Sequence, residues 1–292
     1  MFSVIFPGQG SQIVGMTSEF YSKYDFIKKL YKEADEILNF PISKLILEGP
    51  KDQLDLTENT QPAIFLAGYS IFRLINEHHE IDLKKSKFYA GHSLGEYTAL
   101  ACAGALSFSD TLKILKIRGK AMQEAVPKGQ GGMLAILGSD IDSIDKILKD
   151  CEKNFECFIA NDNSDNQLVV SGSSENIQKF SDLLNVKKIK NIKLSVSAPF
   201  HCKLMNNATK IMKNEIDKVI FQDSKNILIS NVTADEISSK DELKKLLISQ
   251  IESRVRWRES IINMLDKNVN HFIEIGPGKV LSGLVKRIDK NV

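Results

Sequence analysis

Of the residues in this chain that can do covalent chemistry, Ser93 has the most telling surroundings. It lies in Gly91-His92-Ser93-Leu94-Gly95, a G-x-S-x-G pattern, after the apolar stretch Phe88-Tyr89-Ala90 and before a helix-spaced run of small and apolar residues. In a strand–turn–helix setting the two glycines permit a sharp turn that exposes the serine hydroxyl. The same turn puts the Leu94 N–H at a helix N-terminus, where it can donate to an oxyanion. A serine hydroxyl is a weak nucleophile until a base takes its proton. The chemistry to look for is acyl transfer through an acyl-serine.

The base must come from five histidines. His78 and His79 stand in a charged, polar run and read as surface. His271 opens an apolar strand and reads as structural. His92 adjoins Ser93, but successive side chains on an extended backbone point opposite ways. His201, in Ser197-Ala198-Pro199-Phe200-His201, falls at a loop-to-helix junction late in the chain, where a base for Ser93 is expected. Residue types alone leave a satisfied structural histidine equally open. No Asp or Glu announces itself as a third member, so a backbone carbonyl or an amide is the expected orienter. Arg118, on a helix within Leu115-Lys116-Ile117-Arg118-Gly119-Lys120, offers the planar two-point grip on a carboxylate that lysine lacks. Read by itself it is as well a surface arginine.

These side chains need a scaffold, and the patterning suggests one. Phe2 to Phe6 reads as a strand ending in the turn Pro7-Gly8-Gln9-Gly10. Phe26, Leu30, Ala34, Ile37 and Leu38 have helical spacing, and a second helix is expected to begin near Gln61 with Pro62 in its first turn. A further helix covers Ser109 to about Val126. The alternation of strand and helix predicts a parallel α/β sheet. After Gly129-Gln130-Gly131-Gly132 the rhythm changes to strand (133–137), helix (141–151), strand (155–160), strand (167–171), helix from Ser174, and strand (188–196). That β-α-β-β-α-β order is ferredoxin-like. The expected organisation is a large α/β catalytic domain, residues 1–128 and 198–292, with a small subdomain inserted at 129–197. The larger part then continues through a helix (202–216), a strand (227–230), two helices (240–250 and 260–265) and a strand (271–275).

The bulk numbers fit an ordinary globular chain. It has 292 residues, 42% hydrophobic and 26% charged, with a formal net charge of +2, so nothing suggests wholesale nucleic-acid binding, while a local basic patch could still serve an acidic partner. The four cysteines, Cys102, Cys151, Cys157 and Cys202, form no CxxC pair and suit a reducing compartment. The N-terminus lacks the basic region and cleavage site of a signal peptide, and no segment approaches the roughly 20 apolar residues of a membrane span. A cytoplasmic protein with no membrane association is expected.

Taken in order, the motifs resemble the malonyl-CoA:acyl carrier protein transacylase family almost end to end. The matching pieces are Phe6-Pro7-Gly8-Gln9-Gly10, Gln61-Pro62-Ala63, Gly91-His92-Ser93-Leu94-Gly95-Glu96, Arg118-Gly119 and Gly131-Gly132-Met133. They continue with Asn161 and Asn163, Pro199-Phe200-His201, Asn231-Val232-Thr233, Gln250 ahead of Val255-Arg256-Trp257, and Glu274-Ile275-Gly276-Pro277-Gly278-Lys279-Val280-Leu281. The resemblance implies an α/β-hydrolase-like core with a ferredoxin-like insert, Ser93 as nucleophile and His201 as its base. It implies the amides of Gln9 and Leu94 as the oxyanion hole, Arg118 as partner of the malonyl carboxylate, and the Gln250 backbone carbonyl as orienter of His201. Malonyl-CoA would be a substrate, an acyl carrier protein the acceptor, and no metal or other cofactor is implied. Fatty acid synthesis is the setting, and a monomer the expected state. Cys202, where a small hydroxyl residue is common, and Ser253, where proline is common, are departures that remove no functional group. An acidic carrier protein suggests Lys187, Lys188, Lys190, Lys286 and Arg287 as docking positions, with solvated surface lysines the other reading. The competing functions are a serine esterase or thioesterase using water, a non-catalytic carrier-protein binding module, and a transferase for a branched donor such as methylmalonyl.

Overall fold

The computed structural model describes residues 1–78, 81–196, 198–237 and 239–292. His79, expected at the surface, and Ser197, the last residue of the expected insert, lie outside them.

The chain opens with β1 (Phe2–Phe6) and a helical stretch of α1 (Ser18–Lys23), α2 (Asp25–Leu38), α3 (Ile42–Glu48), α4 (Lys51–Leu54) and α5 (Thr57–His78). Then β2 (Phe88–Gly91) runs into α6 (Leu94–Cys102), followed by α7 (Phe108–Glu124). The middle segment comprises β3 (Gly131–Leu137), α8 (Ile141–Cys151), β4 (Cys157–Ser164), β5 (Gln167–Ser173), α9 (Ser174–Val186) and β6 (Lys190–Lys193). The last part holds α10 (Asn206–Asp217), β7 (Ile227–Ile229), β8 (Glu236–Ile237), α11 (Lys240–Gln250), α12 (Trp257–Asp266), β9 (His271–Glu274) and α13 (Val280–Ile288).

Two sheets result. The first has the order β8-β7-β2-β1-β9 and is parallel apart from the antiparallel edge pair β7–β8. Its strands are short apolar runs because both faces are covered. Val4, Phe6, Tyr89 and Leu228 pack into the main core, while Ile5, Phe88, Ala90 and Ile229 pack on the other face with Trp257, Ile261 and Leu284. That is the two-residue alternation of strand side chains. The second sheet, β4-β5-β3-β6, is antiparallel throughout and has its own core of Leu134, Ile136, Val170, Ile177 and Phe180. With the crossover helices α8 and α9 this is the ferredoxin-like arrangement.

Several boundaries differ from the sequence reading, each for a tertiary reason. Helix α5 begins at Thr57, so Pro62 lies inside it. Its first turn is anchored by the Thr60 hydroxyl donating to the Leu54 carbonyl at 2.6 Å, and by close packing against Gly119 of α7. Strand β4 runs on through Asn161 and Asn163, which the polar sequence disguises. Val255 supports the extension, donating to the Ala160 carbonyl and accepting from the Asp162 amide. Strand β6 covers four residues of the expected nine and pairs with Leu134 to Leu137 of β3. No helix among the described residues is long and apolar enough to cross a membrane.

Candidate active site

Ser93 stands between the end of β2 and the start of α6 with φ 53° and ψ −110°, a conformation that non-glycine residues rarely adopt. Such strain persists only where the surroundings over-determine it. Here they do. A Cβ on Gly95 would sit 2.2 Å from the Phe6 carbonyl oxygen, so only glycine lets α6 lie this close to β1. Asn231 then clamps the turn from the β7 side, its Nδ2 donating to the Gly91 carbonyl at 2.7 Å and its Oδ1 accepting from the Ser93 amide at 2.7 Å.

His201 reaches this turn from the loop ahead of α10, itself with φ 59°. The Gln250 carbonyl can only accept, so His201 Nδ1, 2.9 Å away, carries the proton. Nε2 is left with its lone pair and accepts from the Ser93 hydroxyl at 2.8 Å. Burial, reinforced by the neighbouring Arg118 cation, pulls the imidazole pKa down to about 3. The ring is therefore neutral at ordinary pH, and a backbone carbonyl fills the orienting position that an acid holds in a Ser-His-Asp triad.

Arg118, on α7, is 1% exposed, so the surface reading of this residue is set aside. Its Nη1 donates to Gln61 Oε1 at 2.9 Å, and its Nη2 to Gln250 Oε1 at 2.9 Å and to Ser93 Oγ at 3.2 Å. Its Nε has no hydrogen-bond partner, and the guanidinium lies over the Tyr97 ring, 5.2 Å from its centroid. Among the described residues it makes no ion pair within 4.0 Å, although sixteen such pairs occur elsewhere. A buried guanidinium without a counter-charge is costly, and an incoming carboxylate relieves that cost.

Ser93, His201, Arg118, Gln9, Leu94 and Gln61 line one cavity of about 250 Å³. Among the described residues neither the Gln9 nor the Leu94 amide donates to a protein acceptor. A more open hollow of about 560 Å³ meets His201 from the side of Cys202 and Glu252 but includes neither Ser93 nor Arg118. His92 points away from Ser93, its ring nitrogen 2.9 Å from Asn163 Oδ1 and its face toward Trp257. His78 is exposed and stacks on Phe26, and His271 is exposed at the start of β9.

The sequence reading overlooked two participants. Asn231 appeared only as a motif residue, and its role depends on β7 lying beside β2. Glu96 is 4% exposed and accepts from Gln250 Nε2 at 2.6 Å and the Asn231 amide at 3.2 Å. Burial pushes its carboxyl up to about 7. Glutamate in the first turn of an apolar helix was the available signal.

Residues 3–290 match the acyl transferase domain family. The chain is 42% identical over 290 residues to the malonyl CoA-acyl carrier protein transacylase of Bacillus subtilis, covering 99% of this chain and 90% of that protein. The crystal structure of an acyl-carrier-protein S-malonyltransferase from Bartonella henselae superposes with a TM-score of 0.96 at 39% identity, covering 100% of this chain and 93% of that one. A malonyl-transacylase in complex with a type II PKS acyl-carrier protein gives a TM-score of 0.95 at 34% identity, covering 99% and 93%. The chain is an acyltransferase and belongs to the malonyl CoA-acyl carrier protein transacylase family.

Proposed function

We propose that the protein moves a malonyl group from malonyl-CoA to the phosphopantetheine thiol of an acyl carrier protein, by a ping-pong route through a malonyl-serine at Ser93, supplying fatty acid synthesis. The observation that carries the malonyl assignment is the buried Arg118, free of any ion pair among the described residues and directed at Ser93 Oγ. His201 Nε2 takes the Ser93 proton as Oγ attacks the thioester carbonyl. The Gln9 and Leu94 amides receive the oxyanion, each worth about 3 kcal/mol by analogy with other acyl-transfer sites. The tetrahedral intermediate collapses and breaks the C–S bond, with His201 returning the proton to the departing CoA thiol. The carrier thiol then gives its proton to His201 and attacks the ester carbonyl; the new C–S bond forms, the C–Oγ bond breaks, and His201 returns the proton to Ser93 Oγ. We also propose that residues 129–197 act as a small subdomain roofing the catalytic part formed by 1–128 and 198–292, since Met133, Asn161 and Val169 line the same cavity as Ser93.

Intact-protein mass spectrometry tests this reading. Wild type mixed with malonyl-CoA is expected to gain one malonyl adduct, lost on adding holo carrier protein, and Ser93→Ala none. Equal adducts from acetyl-CoA or methylmalonyl-CoA would refute the donor assignment. Rapid CoA release with no carrier protein present would favour the thioesterase reading.

A further inference from the structure

The Gln250 side chain stands between two buried groups of opposite character. Its Oε1 accepts from Arg118 Nη2 at 2.9 Å, while its Nε2 donates to Glu96 Oε2 at 2.6 Å and to the Ser93 carbonyl at 3.0 Å. Glu96 Oε2 already accepts from the Asn231 N–H, so it faces Gln250 as an acceptor in either protonation state and holds the amide one way round, nitrogen toward α6 and oxygen toward the guanidinium. Turned over, the amide would set N–H against the Arg118 N–H and oxygen against Glu96 Oε2, costing each of them a hydrogen bond in a dry interior. Gln250 is 0% exposed, and the groups around Glu96 are Gln250, the Asn231 amide, Arg118 and the neighbouring Tyr97. The backbone carbonyl of Gln250 also holds His201, so a single residue ties both base and arginine to α6.

We propose that Glu96 is a positioning residue for donor selection: by fixing the orientation of the Gln250 amide it holds Arg118 Nη2 beside Ser93, where the guanidinium can meet a free carboxylate on the acyl group. This rests on the malonyl reading above. The Glu96 side chain bonds to Gln250 and the Asn231 amide and not to Ser93 Oγ, so its loss acts on the choice of donor more than on acylation itself. In its ionised form it also supplies Arg118 with a second-neighbour negative charge, which moderates the cost of burying the cation until the substrate carboxylate arrives.

The test measures kcat/KM for serine acylation with malonyl-CoA and with acetyl-CoA, in the full-length enzyme. Glu96→Met keeps volume but offers no strong acceptor, and is expected to lower the malonyl-to-acetyl ratio about tenfold, chiefly through malonyl. Glu96→Gln, which retains an acceptor for Nε2, is expected to keep most of that ratio. Gln250→Leu removes the bridge but keeps the carbonyl that holds His201, and is expected to reproduce the loss. The double variant Glu96→Met/Gln250→Leu is expected to lose no more than either single one, because Glu96 acts through Gln250. An unchanged ratio in Glu96→Met, equal losses for both donors, or additive losses would overturn the proposal. Should Glu96→Met fail to fold, Gln250→Leu decides, an unchanged ratio again overturning it. Failure of the malonyl reading is separately visible, as a wild type with no preference between donors.

Discussion

At Ser93 and Arg118 the same contact serves two purposes. Arg118 Nη2 donates to Ser93 Oγ in the free protein, and the proposed donor would bring a carboxylate to the same guanidinium. Truncation to Arg118→Ala is therefore expected to cost malonyl transfer about a hundredfold or more in kcat/KM and acetyl transfer far less, since acetyl makes no use of the cation. Steady-state kinetics with both donors checks this, and equal losses would remove Arg118 from donor selection. The two shifted titrations nearby have opposite signs. His201 stays neutral in the fold while its unfolded imidazole gains a proton as pH falls through 6.5, so it removes stability from about pH 6.5 downward. Glu96 has a raised folded pKa, so its contribution is complete below about 4.5 and is lost as pH rises through about 7. Glu96→Gln abolishes only the second effect. The variant is expected to gain stability relative to wild type on going from pH 5 to pH 8, by the order of 1–2 kcal/mol. Denaturant unfolding at the two pH values measures it, and a constant difference would mean that Glu96 is not held protonated by burial.

The Ser93 geometry belongs to β2, its turn and α6 together. Gly95 lies against the Phe6 and Pro7 carbonyls, and a Cβ there would enter the backbone of the strand that carries the Gln9 turn. Gly95→Ala is thus expected to push α6 off β1, destabilise by about 1–3 kcal/mol and lower the yield of acyl-serine. A thermal melt and the adduct assay read the two effects. An alanine variant with unchanged melting and full acylation would show that the close approach is not needed. The α5–α7 pair works by the same logic, since Gly119 lets α7 approach Thr57 and Glu58 closely enough for Arg118 to reach Gln61.

On the scale of the whole molecule, the cavity lies between the parallel sheet and the antiparallel one, and the segment after Gln250 is laced to the antiparallel one. Val255 pairs with the backbone of β4, and Arg258 meets the buried Asp162 at 3.0 Å. Of the basic positions considered for carrier docking, Arg287 is the one joined to the cavity wall, its Nη1 donating to Gln167 Oε1 at 2.7 Å. Lys187, Lys188, Lys190 and Lys286 are exposed. Charge reversal at Lys286 and Arg287 is expected to raise the apparent KM for the carrier protein severalfold, with malonyl-serine formation unchanged and the effect fading at high salt. A KM indifferent to reversal would move the dock elsewhere.

Local chemistry in the sequence determined the strand–turn–serine–helix unit, because glycine spacing and apolar runs act over a few residues. It likewise determined both sheet patterns, since strand alternation and helical spacing survive without partners. His201 and Arg118 could be named from the sequence, but each kept a bland reading until burial and distance removed it. The start of α5 at Thr57, the polar continuation of β4, the clamp by Asn231 and the Glu96–Gln250–Arg118 chain were decided only by tertiary structure. Each joins residues far apart in sequence through contacts that no local propensity encodes. A buried carboxylate and a buried amide look like surface residues until the elements around them close.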